Sequence, residues 1–153
     1  MSRAFTRESD DPAPLPERAI SAHPNLVTAR GLEAIEAQVR ALESERQAAR
    51  AADDSALRAR VERDLRYWTA RRASARVVPK VEAPDRVRFG VKVTLRSASG
   101  AEHTFRLVGE DEADAARGLL SWVAPLGQAL LGRATGDSVV FQGGEAQILQ
   151  LEP

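Results

Sequence analysis

Cysteine is absent from the 153 residues, which excludes disulfides and thiolate metal sites and fits a reducing compartment. No apolar run approaches the roughly 20 residues of a membrane span, and the polar N-terminus has no signal-peptide core. Net charge is absent too. Twenty-two Lys and Arg balance 22 Asp and Glu, so wholesale attraction to nucleic acid or membrane is not expected. The pattern is that of a cytoplasmic protein. Enzyme motifs are also missing. There is no G-x-x-x-x-G-K-[ST] or G-x-S-x-G run, and Ser97, Ser99 and Ser121 have no candidate base nearby. The histidines, His23 and His103, do not suggest a metal pair, and His103 reads as a polar-face residue of a hairpin. "DEAD" at 111–114 lacks the phosphate-binding loop a helicase needs and reads as an exposed acidic loop.

Three parts follow from what is present. Residues 1–24 mix charges and four prolines with few large apolar side chains, the composition of a disordered tail. Local docking through Leu15 or Ile20 is the alternative. The helical hairpin spans 25–76. Leu32, Ile35, Val39 and Leu42 recur at helical spacing, and Leu57, Val61, Leu65 and Trp68 restart the stripe after Asp53-Asp54-Ser55. Two amphipathic helices joined by a short polar turn make an antiparallel hairpin, with the alanines at 48, 49, 51 and 52 thinning the seam toward its tip. From Thr28 to Arg76 the chain holds 11 arginines and 8 acids, whereas Pro84–Pro153 holds 7 basic and 9 acidic residues.

The stretch 77–84, with two prolines, is a linker. Over 85–153 the period drops to two. "RVRFGVKVTL" reads as one half-buried strand pairing with "HTFRLVG", and "LLSWV" as a short strand in which Trp122 is a core residue. Pro125 opens a helix closed by Gly132, and a last hairpin turns at Gly143-Gly144. The expected class is α+β: a helical hairpin plus a small antiparallel sheet crossed by one helix.

Several runs, in order, carry a family resemblance. "NLVTARGLEAIEAQV", "LRYWTARRASARVV", "VRFGVKVTL", "FRLVGEDEAD" and "APLGQALLGRATGD" resemble the Gre family of bacterial transcription elongation factors, with T-x-x-G and RY-x-T nearer GreB. The resemblance covers about 28–153. It implies an FKBP-like C-terminal domain that grips bacterial RNA polymerase at the mouth of its secondary channel, and a coiled coil entering that channel. Nucleic acid is then met only indirectly, the factor is a monomer without an active site or cofactor of its own, and any RNA cleavage is catalysed by the polymerase. The polymerase-binding set implied is Gly109, Asp111, Glu112, Asp114, Ser121, Trp122 and Pro125.

Two departures bear on function. The family tip G-D-x-x-E-N-[AS]-x-Y is missing. A deletion of on the order of 18 residues, about nine per arm, removes roughly 13 Å of reach at 1.5 Å per residue. Asp53 and Asp54 are the acids available to share the polymerase Mg²⁺, which a carboxylate must approach to about 2.1 Å or through one water. They are equally suited to capping the second helix. Val123 and Ala124 also replace the Asn or Asp and Ser usual before Pro125. The expectation is a channel-binding regulator of elongation lacking the standard cleavage tip. The alternatives are a true cleavage factor acting through Asp53 and Asp54, a DksA-like initiation regulator, and an adaptor reusing the fold.

Overall fold

The computed structural model describes residues 14–153. Strand β1 (Leu26–Val27) leads into helix α1 (Ala29–Ala51), which turns into α2 (Ser55–Ser74) and ends in β2 (Arg76–Val77). Strands β1 and β2 pair in parallel and tie off the base of the hairpin. The helices pack along the expected stripe, burying Val39, Leu42, Val61 and Leu65 with Leu57 and Trp68 at the margin. Four buried aliphatics at about 1.5–3 kcal/mol each hold the arms together. Exposed ion pairs such as Arg60–Glu45 at 3.5 Å add little.

The second unit is a five-stranded sheet built from β3 (Lys92–Arg96), β4 (Glu102–Val108), β5 (Leu119–Ser121), β6 (Ser138–Phe141) and β7 (Gly144–Glu152). The strand order is β5-β4-β3-β7-β6. All pairs are antiparallel except β4–β5, so the sheet is mixed rather than purely antiparallel. A parallel neighbour needs a connection that returns the chain. The acidic segment supplies it through a single 3-10 turn (Ala115–Arg117). Helix α3 (Pro125–Leu130) covers one face, and Val93, Leu95, Leu107, Leu130 and Ile148 form the core between them.

Local departures from expectation have local causes. The strand expected from Val87 begins only at Lys92, because Gly90 adopts φ +87° and the chain turns there, although Val87 and Phe89 stay buried. The last hairpin turns at Gln142-Gly143, both left-handed, giving a two-residue loop between Phe141 and Gly144. His103 lies on the core-side face, opposite fully buried Leu95, with its ring edge-on to Phe141 at 4.9 Å. Trp122 falls just past β5 and outside the core cluster.

The expected tail divides. Residues 1–13 lie outside the described residues. Residues 14–24 form no helix or strand, yet they run against α2 as a strap. Glu17 accepts three hydrogen bonds from Arg66, the shortest 2.6 Å, and the Arg18 guanidinium sits 3.9 Å over the Tyr67 ring. Leu15 and Ile20 stay exposed, so polar and cation–π contacts rather than apolar anchors hold this segment.

Candidate functional site

At the hairpin tip, the backbone fixes the role of each aspartate. Asp53 takes φ +51°, its amide reaching Arg50 O at 3.2 Å, while the Asp54 amide reaches Ala49 O at 3.0 Å. These two bonds are the Schellman closure of α1, with Asp53 in the left-handed position usually given to glycine. The Asp54 side chain then accepts from Leu57 N at 2.9 Å and caps α2. One carboxylate is therefore a cap, and the other is exposed without a hydrogen-bond partner among the described residues. Among those residues no group of three or more His, Asp or Glu is arranged to hold a metal ion. The tip could add at most one free carboxylate and one lone carboxylate oxygen to a cation held by a partner.

The acidic loop is not the exposed feature expected. Asp111 has a side chain only 8% exposed, and Arg71, 2% exposed, reaches it through Nε at 2.5 Å. The Tyr67 hydroxyl donates to the other Asp111 oxygen at 2.6 Å. Arg71 Nη2 donates to Asn25 Oδ1 at 2.8 Å, and Asn25 Nδ2 donates to Arg71 O at 2.8 Å. Burial, followed by the Asp111 hydrogen bond and charge, raises the Tyr67 pKa to about 12.

The same loop meets the start of α1. Thr28 caps that helix by accepting from Gly31 N at 2.9 Å, and its hydroxyl donates to Glu112 Oε2 at 2.6 Å. A Cβ on Gly31 would stand 2.8 Å from that Glu112 oxygen, and one on Gly109 would stand 2.4 Å from Leu26 O. Thus "T-x-x-G" at 28–31 and "VG-x-DE" at 108–112 are two halves of one joint. They fix the hairpin to the sheet domain by close backbone approach and a buried ion pair.

This divides the candidate binding residues. Gly109, Asp111 and Glu112 belong to the joint, and charge reversal at the two acids would open that joint rather than alter a free surface. Asp114 caps the 3-10 turn, its carboxylate accepting from Ala116 N at 3.1 Å. Ser121, Trp122 and Pro125 remain on the surface around α3. Ser121 Oγ accepts from Val123 N at 3.3 Å, Pro125 is exposed, and Ala124 leaves the helix without a side-chain cap. Half-buried Trp122 packs against His23 of the strap, ring centroids 6.0 Å apart, and its Nε1 is buried without a hydrogen-bond partner among the described residues. Gly127 permits this turn, since a Cβ there would stand 2.5 Å from Ser121 O.

The sequence did carry one unread signal for the joint. Arg71 continues the α2 stripe one step of three beyond Trp68, and an arginine on a buried seam requires an acid facing it.

Comparison with known proteins bears on the sheet domain most directly. Residues 82–152 match the family described as "Transcription elongation factor, GreA/GreB, C-term". GreB of Neisseria meningitidis serogroup A is 39% identical over 89 residues, which are 57% of this chain and 55% of the relative. GreA of Anaeromyxobacter is 44% identical over 87 residues, 54% of this chain and 51% of the relative. The chain thus spans about half the length of the curated relatives it matches. Among solved structures, a GreA/GreB factor from Nitrosomonas europaea superposes with a TM-score of 0.40 at 25% identity, covering 84% of this chain and 98% of that one. GreA factor homolog 1 of Thermus thermophilus gives 0.42 at 19%, covering 86% and 100%. The resemblance to the Gre family holds, most fully over the C-terminal domain.

Proposed function

We propose that this chain, carrying a GreA/GreB-type C-terminal domain, is an accessory factor that binds bacterial RNA polymerase at its secondary channel. It regulates elongation without supplying the cleavage chemistry of a full tip. The observation that carries this reading is the use of the two acids. Asp54 spends its carboxylate on the α2 N-terminus, and Asp53 occupies the left-handed closing position of α1. Such a turn is built to end one helix and start the next. The arms, 23 and 20 residues, are about 35 and 30 Å long at 1.5 Å per residue, enough to occupy a channel. The joint supports the same reading, because it holds the hairpin in one orientation relative to the docking domain, as a probe inserted by a docked body requires. Ser121, Trp122 and Pro125 are the surface left for docking.

The test is RNA shortening in a stalled, backtracked elongation complex with purified factor and Mg²⁺. Little or no shortening is expected from the native chain, and Asp53→Asn with Asp54→Asn should change nothing, because Asn caps about as well as Asp. Strong shortening by the native chain, lost in the double variant, would overturn the reading and make the tip a donor to the polymerase Mg²⁺.

A further inference from the structure

Beside the joint a cleft of about 390 Å³ opens between the hairpin base and the sheet domain. Four cationic residues line it: Arg30 from the first turn of α1, Lys80 from the linker, Arg106 from β4 and Arg117 from the 3-10 turn. None of the four makes an ion pair among the described residues, and three of them are exposed. The acidic side chain in the lining, Glu112, is already engaged by the Thr28 hydroxyl. Apolar walls stand behind this charge. Val77 is 47% exposed, an unusual state for a strand valine, and Leu119 lines the cleft from the sheet domain. Val77 lies on an open edge, since β2 pairs only with β1 among the described residues, whereas at Leu119 the outer edge of β5 is already closed by its bridge to Asp114.

We propose that this cleft is a docking site for an extended acidic peptide segment of a partner protein. Its acidic side chains would meet the four cations and its apolar side chains would cover Val77 and Leu119. An open edge strand offers backbone groups to an incoming strand, and alternating side chains supply specificity. Charge complementarity decides against a basic or neutral segment. The lining decides against a nucleotide, since it contains no aromatic ring on which a base could stack. It also decides against a phosphate cradle. Among the described residues, Arg106 alone of the four cations is held by a hydrogen bond, its Nη1 donating to Gly90 O at 2.7 Å, whereas a cradle holds several donors in place. The site does not depend on the polymerase reading, because any partner bearing such a segment would use it.

The experiment is fluorescence anisotropy of a labelled synthetic peptide alternating Asp or Glu with Val, titrated with the full chain. Saturable binding that weakens steeply with salt is expected, with no binding of the same peptide carrying Lys in place of the acids. Arg30→Glu with Arg117→Glu should lower affinity about tenfold or more, as reversed charges across an interface oppose docking. Lys80→Glu, on a separate segment, provides the same test without touching α1 or the 3-10 turn. Val77→Ser should weaken binding severalfold with no change of charge. Circular dichroism melts of each variant should match the native chain. Unchanged affinity in the charge variants would overturn the proposal. So would displacement of the peptide by inorganic phosphate or oligo-deoxythymidine as effective as displacement by unlabelled peptide, which would mark a general anion cleft.

Discussion

Replacing Asp111 with alanine should loosen the joint between the two units and cost about 3 kcal/mol, a figure that follows from the bonds removed. The carboxylate accepts one bond from the Arg71 guanidinium and one from the Tyr67 hydroxyl. Bonds to charged groups contribute about 1.5–3 kcal/mol each, and breaking a buried pair leaves an uncompensated charge that costs about 3–5 kcal/mol. Two features soften the loss. Asn25 still accepts from Arg71, and the Glu110 carboxylate, 3.8 Å from Arg71 Nη2 with one oxygen buried and without a hydrogen-bond partner among the described residues, can move in. Neither replaces the bond to Tyr67. The loss is also capped, because once the joint opens nothing further can be lost there.

Denaturant unfolding followed by tryptophan fluorescence measures it well, since Trp68 reports on the hairpin and Trp122 on the sheet domain. The native chain should show one transition for both probes. Asp111→Ala should shift the Trp68 signal to lower denaturant and leave a later phase for the sheet core, which contains no joint residue. A double-mutant cycle with Arg71→Met should give a coupling of about 2 kcal/mol. A loss below about 0.5 kcal/mol, the range of ordinary surface substitutions, would refute the argument that this pair holds the units together.

Three further outcomes follow from the same geometry. Gly109→Ala should cost more than Gly31→Ala, about 2–3 against about 1 kcal/mol in thermal melts, because its Cβ meets the Leu26 backbone whereas Gly31 meets the movable end of Glu112. Asp54→Ala should cost about 1 kcal/mol, while Asp53→Gly should be neutral or stabilising by about 0.5 kcal/mol, because glycine relieves the positive φ. Folding raises the Tyr67 pKa, so its contribution is fully present below pH 10 and is lost as pH rises toward about 12; an unfolding midpoint that falls over this window should fall less in Tyr67→Phe.

Periodic features were legible in the sequence because each residue reports its own environment. The stripes ending at Leu42 and Trp68, the helix opened by Pro125 and the alternation through Val93 and Leu95 all appear where the spacing placed them. What could not be read depends on residues distant in sequence. Asp111 looks like surface charge until Arg71, 40 residues earlier, is placed against it. Gly109 and Gly31 look like turn punctuation until backbone and carboxylate are found 2.4 and 2.8 Å from where a Cβ would sit. Residues 14–24 lack the apolar content of a folded segment and are ordered instead by Arg66 and Tyr67 on α2. The turn was half legible: both aspartates were fit to cap, but only the backbone shows that Asp54 does so and Asp53 closes the preceding helix.

The central claim, occupancy of the polymerase secondary channel, is tested most directly by competition. Labelled factor is bound to core RNA polymerase and displaced with a full-length Gre factor. The account predicts one factor per polymerase, complete displacement, and weaker binding when Trp122 and Pro125 are both replaced by alanine with the joint intact. Simultaneous binding of both proteins, or no binding to polymerase by a correctly folded chain, would contradict it.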